Sequence, residues 1–527
     1  MSYRLLAGAA GLALSAGVAQ AEYTLHVIHI NDLHSRIEPI NRFDSTCSAE
    51  DNAEGKCFGG VARVKTMIDE LRAELDGENV IVVDAGDQYQ GSLMYTTYKG
   101  DVEAEMMEKI GFDVMAVGNH EFDDGDEGLL KLIETVSFPV VSGNLDVSQS
   151  NILADKVQPH VVLEVDGERI GIVSALAIDT VETSSPSEAV IFQPEIDSLA
   201  ADVETLTDAG VTKIIGLNHV GLPKDIEIAA AVPGIDAIVG GHSHSYLSAS
   251  DPDRDGAYPT FVSQQDGTLV PVVQAYAYSK YVGHLELTFD DDGNVTHAQG
   301  DTILLDASVA EDPEIEDRVA ELAGPIEDMK TQVMAATAEA IEGSREVCRT
   351  MECPMGNLVA DAMLDRVKDQ GIQVAIQNGG GLRASIDAGE VTMGEVLTVL
   401  PFQNTLSTFE VTGDQILAAL ENGVSRVADG AGRFPQVAGM SFTVDLSQEP
   451  GNRISDVMIN GAPIDLAATY GAVSNNYVRN GGDGYAMFRD ARNAYDFGPD
   501  LADVMAEFLA ETGPYTPYTD GRITVKQ

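Results

Sequence analysis

The stretch VMAVGNHEFD, residues 114–123, decides how this chain is read. An apolar run, Val114–Val117, stops at Gly118 and is followed at once by Asn119, His120 and Glu121. Short Val- and Ile-rich runs closed by glycine or polar residues read as buried strands. The polar residues therefore stand at a strand exit. The pattern recurs four more times. Asp32-Leu33-His34 follows Tyr23–Ile30, Gly86-Asp87 follows Val80–Val83, Asn218-His219 follows Lys213–Leu217, and Gly241-His242-Ser243-His244 follows Ile235–Val239. Five of the ten histidines are concentrated at these exits. Residues at strand ends can converge on one edge of a sheet although they are far apart in sequence.

Aspartate, asparagine and histidine suit hard or borderline divalent cations, and such sites can leave coordination positions open for a substrate. The spacing predicts one ion held by Asp32, His34, Asp87 and His244, and a second held by Asp87, Asn119, His219 and His242. Asp87 bridges, because catalytic ion pairs lie about 3.5–4 Å apart. Two carboxylates facing two divalent cations leave a positive cavity that attracts phosphate and acidifies bound water. Each motif alone has a blander reading. Asp-x-His can be a turn with a surface histidine, Gly-Asp can open a turn, Asn-His can cap a helix, and His-x-His can face solvent from a strand. Their joint occurrence, each at a strand exit, favours the metal centre and with it a dinuclear hydrolase.

A chain of 527 residues is too long for one ordinary core, so two or more domains are expected. Residues 1–21 read as a secretory signal, with Arg4, the apolar Leu5–Val18, and Ala19-Gln20-Ala21 as the cleavage site. No later run is long and apolar enough to span a bilayer, and Gly521–Gln527 is polar, so no stable membrane anchor is expected. These features predict a periplasmic or secreted protein. Its four cysteines then read as disulfides, and local pairing of Cys47 with Cys57 and Cys348 with Cys353 is the simplest of the three connectivities. With 85 acidic against 31 basic residues, the net charge of −54 excludes a surface for nucleic acid polymers. An anionic substrate must be held by local cations and a few placed arginines.

From Glu22 to about 308, apolar strands alternate with helical stretches such as Val61–Leu75, Asp101–Ile110 and Gly128–Val136, which predicts a layered α/β domain. Asp290–Asn294 reads as a hairpin turn. Residues 309–340 are charged, Ala-rich and helically periodic, broken by Pro313 and Pro325, and read as an interdomain helix or linker. A second α/β unit occupies 341–527, with helices Met355–Val367 and Gly413–Asn422 and strands Gln373–Ile376, Ser441–Asp445 and Ile454–Ile459. Asp251-Pro252-Asp253-Arg254-Asp255-Gly256 opens like a calcium loop, but Val262 stands where a bidentate glutamate is needed, so it reads as a solvated turn.

The set N-D-L-H-S-R, A-G-D, G-N-H-E-F-D, N-H-V-G and G-G-H-S-H resembles the calcineurin-like metallophosphoesterases, and more narrowly the secreted 5′-nucleotidase family. The resemblance covers essentially the whole mature chain. It implies an α/β (α+β) fold: a four-layer αββα metallophosphatase domain, then a smaller α/β substrate-binding domain joined by a helix. It also implies a catalytic pair, His120 with Asp123, which stabilises the transition state or protonates the leaving group; a carboxylate supporting an imidazolium suits that role. Asn378-Gly379-Gly380-Gly381-Leu382-Arg383 resembles the family's N-G-G-G-x-R segment, so Asn378 and Arg383 are implied substrate contacts. By the same resemblance Arg349 binds substrate from a disulfide-bounded loop, Phe402 and Tyr477 sandwich the base, and Asp483 accepts from the ribose hydroxyls. Arg36, just after Asp-x-His, is placed to approach a phosphate. The implied reaction is hydrolysis of a nucleoside 5′-monophosphate such as AMP by a metal-bound hydroxide. Zn, Mn and Co all suit this donor set. The rival specificities are a UDP-sugar diphosphatase and a 2′,3′-cyclic phosphodiesterase/3′-nucleotidase, which often carries Asn where this chain has Asp123. A non-catalytic nucleotide binder is a rival of a different class, against which the complete ligand set argues.

Overall fold

The computed structural model describes residues 22–526 apart from 42–46, 48, 179, 403 and 496–497. The expected signal segment at 1–21 lies outside them. Two six-stranded sheets build the first domain. One runs, in spatial order, Val295–Leu304, Tyr281–Phe289, Tyr23–Ile30, Asn79–Asp84, Val114–Ala116, Val140–Val141. The other runs Thr260–Ser263, Leu269–Val273, Ala237–Gly240, Lys213–Asn218, Glu168–Val173, His160–Val165. The four strands from Tyr23–Ile30 to Val140–Val141 are mutually parallel, and so are the four from Leu269–Val273 to Glu168–Val173.

These strands are buried on both faces, which is why they read as continuous apolar runs rather than alternating ones. Leu25, Val27, Ile81 and Val83 of one sheet pack against Ile172, Ile215, Leu217 and Val239 of the other. Ile28, Ile30 and Val82 face the opposite way, against helices Val61–Glu74, Asp101–Ile110 and Gly125–Thr135. Helices Glu195–Asp208 and Leu222–Ala231 cover the outer face of the second sheet. The result is four layers, αββα. Parallel strands end at one edge, so the residues after Ile30, Asp84, Ala116, Asn218 and Gly240 all emerge there.

The hairpin at Asp290–Asn294 joins Tyr281–Phe289 to Val295–Leu304, with Asp290 accepting from the backbone N–H groups of Asp292 and Asn294. The segment 309–340 departs from its expected form. Pro313 opens a helix, Pro313–Lys330, at a first-turn position where no N–H is needed, and Asp312 caps it by accepting from Glu314 and Ile315. Pro325 does not break that helix. Leu322 and Ile326, on either side of it, are buried against the first domain, and this packing outweighs the lost backbone bond. The chain from Val333 to Thr337 is a strand, not helix, paired antiparallel with Gly389–Thr392.

The second domain centres on a five-stranded sheet in the order Pro435–Ala438, Ile372–Asn378, Thr469–Asn475, Leu406–Thr412, Arg492–Tyr495. Helices Pro354–Arg366 and Leu501–Glu511 pack on one face and Gly413–Val424 on the other. Both disulfides are the local ones, with Cα separations of 6.0 Å for Cys47–Cys57 and 5.1 Å for Cys348–Cys353. In the Asp251–Gly256 turn, Asp251 is taken up by the Asp253 N–H and the Tyr246 hydroxyl, as a self-satisfied turn requires. Among the described residues no helix is long and apolar enough to cross a membrane.

Glu103, fully buried on helix Asp101–Ile110, supports the Asp32–His34 loop by accepting a 2.5 Å bond from Ser35 Oγ, while its Oε2 has no partner. Burial pushes its carboxyl up to about 7. A carboxyl raised in the folded state favours folding most below the unfolded pKa, near 4.5, and loses that contribution as pH rises through 7. The loss amounts to about 3 kcal/mol at most. Glu103→Gln, which cannot ionise, should lose less stability than the wild type between pH 5 and pH 8 in denaturant unfolding. Parallel pH profiles for the two proteins would contradict this account.

Candidate metal centre

Five of the seven expected ligands sit at the strand exits in left-handed backbone: Asp32 (φ 51°), His34 (50°), Asp87 (60°), His242 (76°) and His244 (50°). Such backbone costs on the order of 1–3 kcal/mol per non-glycine residue, is commonest for Asp, Asn and His, and clusters at functional sites. Here it turns each side chain off the sheet edge toward a common centre. Gly118 permits the close approach of two of these exits, since a Cβ there would lie 2.2 Å from Asp87 N and 2.3 Å from Asp87 Oδ1.

The structure brings all seven residues together. His34 Nε2 and His244 Nε2 lie 2.9 Å apart, and Asp32 Oδ1 is 3.8 Å from the first and 3.3 Å from the second. Asp87 Oδ2 is 3.8 Å from His34 Nε2 and 3.0 Å from His219 Nε2, so one carboxylate oxygen faces both halves. Asn119 Oδ1 lies 3.2 Å from His219 Nε2 and 2.8 Å from His242 Nδ1. Metal–ligand bonds of about 2.0–2.2 Å put neighbouring donors in a tetrahedral shell roughly 3.3–3.6 Å apart. The observed spacings bracket that range, so the residues fit a pair of cations. His219 Nδ1 is 2.7 Å from the carbonyl of Ala85, a contact that fixes its tautomer and aims Nε2 inward.

Burial, with His244 beside it, drives His34 down to about 3, so it offers a neutral lone pair. Burial alone would raise Asp87, but the imidazoles of His219 and His120 outweigh it and hold the carboxyl well below the usual range. His120 is close enough to His34 and Asp87 to count geometrically as a donor with them. Its Nδ1 is instead committed to Asp123 Oδ2 at 2.7 Å, and Asp123 and Asp87 overcome burial to raise it to about 9. Against burial, Asp87 and Asp32 raise His219 as well, to about 10, so it is the commitment of its Nδ1 to Asp123, and not its charge, that sets His120 apart from the other imidazoles.

Three residues around the site carried no role in the sequence reading. Glu121, fully buried, accepts from the N–H groups of Asp87 (3.0 Å), Gln88 (2.9 Å), Tyr89 (3.3 Å) and Gly118 (2.8 Å), tying two ligand loops together. Its place directly after His120 was the one available signal. Asn218 donates to Asp225 and accepts from Ala175 N–H, bracing His219. Tyr278 donates its N–H to the Asp32 carbonyl and carries the Arg36 guanidinium 5.2 Å from its ring centre.

The centre opens into a cavity of about 350 Å³ lined by His34, Asp87, Asn119, His120, His242 and His244 together with Phe402 and Tyr477. A neighbouring cavity of about 560 Å³ contains Arg349, Asn378, Arg383, Phe402, Tyr477 and Asp483. Asn378 donates to Asp483 at 2.7 Å, Tyr477 donates its hydroxyl to the same carboxylate at 3.2 Å, and Arg383 lies 5.2 Å from the centre of the Phe402 ring. All six expected substrate contacts therefore border one cavity, which shares His244, Phe402 and Tyr477 with the cavity of the metal donors.

Residues 25–246 match the calcineurin-like phosphoesterase model, and residues 332–490 match the 5′-nucleotidase C-terminal domain. A 5′-nucleotidase of Diplobatis ommata is 38% identical over 95% of this chain and 90% of its own length. The chain belongs to the 5′-nucleotidase family. A solved 5′-nucleotidase precursor from Thermus thermophilus is 38% identical, with a TM-score of 0.66 over 95% of this chain and 99% of that one. Haemophilus influenzae NAD nucleotidase is 28% identical, with a TM-score of 0.73 over 96% of this chain and 100% of that one. Members of this family are metal-dependent phosphoric ester hydrolases, and this chain is one of them.

Asp87→Asn removes the carboxylate that lies 3.0 Å from His219 in one half of the site and 3.8 Å from His34 in the other. Elemental analysis should then find the bound divalent metal reduced from two ions per chain to one or fewer. Full metal content in that variant would show that Asp87 does not bridge.

Proposed function

We propose that the chain is an exported dinuclear hydrolase of nucleoside 5′-monophosphates such as AMP, yielding nucleoside and phosphate. The observation that carries this reading is the shared wall of the two cavities, in which Phe402 and Tyr477 border both the metal donors and the arginine pocket. A phosphate among the donors and a base between the two rings fit one small molecule. Two divalent ions (Zn, Mn or Co), held by Asp32, His34, Asp87 and His244 and by Asp87, Asn119, His219 and His242, would supply positive charge and an acidified water.

On this reading His120, supported by Asp123, stabilises charge on the phosphoryl group or donates a proton to the leaving oxygen. Asn119 adds a donor beside the phosphoryl oxygens. Arg349 and Arg383 bind the substrate's anionic part, Asn378 and Asp483 read the ribose, and the rings of Phe402 and Tyr477 stack on the base, at about 1–3 kcal/mol per stacked base. The Tyr477 hydroxyl, held on Asp483, orients its ring before the base arrives. The division into 22–308, 309–340 and 341–527 is part of the proposal, supported by the two six-stranded sheets that close within the first range and the five-stranded sheet that closes within the third, although Val333–Thr337 pairs across into the third. Export, to the periplasm or the medium, rests on residues 1–21 and suits the two disulfides.

Phosphate release should be fastest from AMP in a panel with ADP, UDP-glucose, 3′-AMP and 2′,3′-cyclic AMP, and EDTA should abolish it. A preference for UDP-glucose or for the cyclic nucleotide would replace this specificity with one of its rivals. Tight nucleotide binding with no release from any substrate would make the chain a binder.

A further inference from the structure

Both oxygens of Asp123 are engaged. Oδ2 faces His120 Nδ1, and Oδ1 accepts a 2.8 Å hydrogen bond from Ser184 Oγ, a residue 61 positions away in sequence. Ser184 is buried and follows the short helix Thr180–Thr183, donating its backbone N–H to the Thr180 carbonyl at 2.9 Å. Its segment is fastened just downstream. Ser187 donates to Asp126 through its N–H (2.9 Å) and its hydroxyl (2.7 Å), and Asp126 also takes the Ser150 hydroxyl at 3.1 Å. Asp123 and Asp126 are three residues apart, so one short stretch carries both the carboxylate beside His120 and the anchor of the loop that supports that carboxylate.

A carboxylate bound on one oxygen can turn about its Cβ–Cγ bond; one bound on both oxygens is held in a single plane. We propose that Ser184 is a positioning residue for the His120–Asp123 pair, fixing the plane of the Asp123 carboxylate and so the direction in which His120 Nε2 meets the phosphoryl group. This rests on the role given to that pair above. Ser184 lines neither of the two cavities. Its effect runs through Asp123 alone, which separates it from a residue that merely stabilises the loop.

The test measures kcat, KM and bound metal for AMP hydrolysis in Ser184→Ala, Ser184→Thr, Asp123→Ala and the Ser184→Ala/Asp123→Ala double variant. Ser184→Ala should lower kcat about tenfold, the lower end for supporting partners of this kind, with KM within about twofold and metal content unchanged. Ser184→Thr, which keeps the hydroxyl, should retain most of the turnover. The double variant should be no slower than Asp123→Ala, because the coupled residues act as one unit. Wild-type kcat in Ser184→Ala would overturn the proposal, as would a loss that multiplies undiminished onto Asp123→Ala, or a loss of metal that threonine does not rescue. Wild-type turnover in Asp123→Ala would instead overturn the role of the pair itself.

Discussion

The arrangement depends on one buried carboxylate, that of Asp87. It stands where the exits of both sheets meet, facing His219 at 3.0 Å and His34 at 3.8 Å, with its other oxygen taken by the backbone N–H of His120 at 2.9 Å. Taking a bare carboxylate out of water costs several kcal/mol, and only surrounding positive charge and donated hydrogen bonds make such a position tenable. The local structure follows from that requirement. Asp87 takes left-handed backbone, position 118 must be glycine, and Glu121 gathers four N–H groups from the two loops to keep them in register. Without the Asp87 charge, imidazoles would crowd one another with little to balance them.

The same logic reconciles a strongly acidic chain with a site for anions. The net charge of −54 is spread over 22909 Å² of surface, and its repulsion is screened over about 8–10 Å at physiological salt. Inside the cleft, Arg36, Arg349 and Arg383, with the divalent cations that the donors would hold, provide local positive charge. A small phosphate ester can lie wholly within that region. A nucleic acid polymer would hold further phosphates against the acidic exterior, where they are repelled.

What could be read from sequence follows the range over which each feature is specified. The strands before the ligands are local apolar runs ended by glycine or a polar residue, and they stand within a few residues of where the pattern put them. The Asp290–Asn294 hairpin is likewise local, set by the aspartate's bonds to its own backbone. Pro325 misled because its cost is local whereas the compensating burial of Leu322 and Ile326 is tertiary. Val333–Thr337 misled for the same reason, since its partner strand Gly389–Thr392 lies more than fifty residues on. The metal donors announce themselves because their chemistry restricts them to a few residue types. Glu121 and Ser184 do not, because any buried acceptor or hydroxyl in the right place could do their work, and only coordinates show what they touch.

The expected metal donors all come from residues before 250 and the six expected substrate contacts from residues after 340, so the two halves of the cleft belong to separately built cores. That division has a consequence for specificity. On the proposed reading the donors fix where a phosphorus can sit, and Phe402 with Tyr477 fixes where a base can sit. The span between them is then set by how the two cores lie against each other, rather than by any one side chain. A nucleoside monophosphate has a nearly constant distance from base to 5′ phosphorus, whatever the base. Inserting a second phosphate lengthens that span by several bonds, while moving the phosphate to the 3′ position changes its direction. On the proposed reading, selectivity among nucleotides is therefore a property of interdomain geometry, and the aromatic pair can tolerate different bases because stacking uses the face that every base shares.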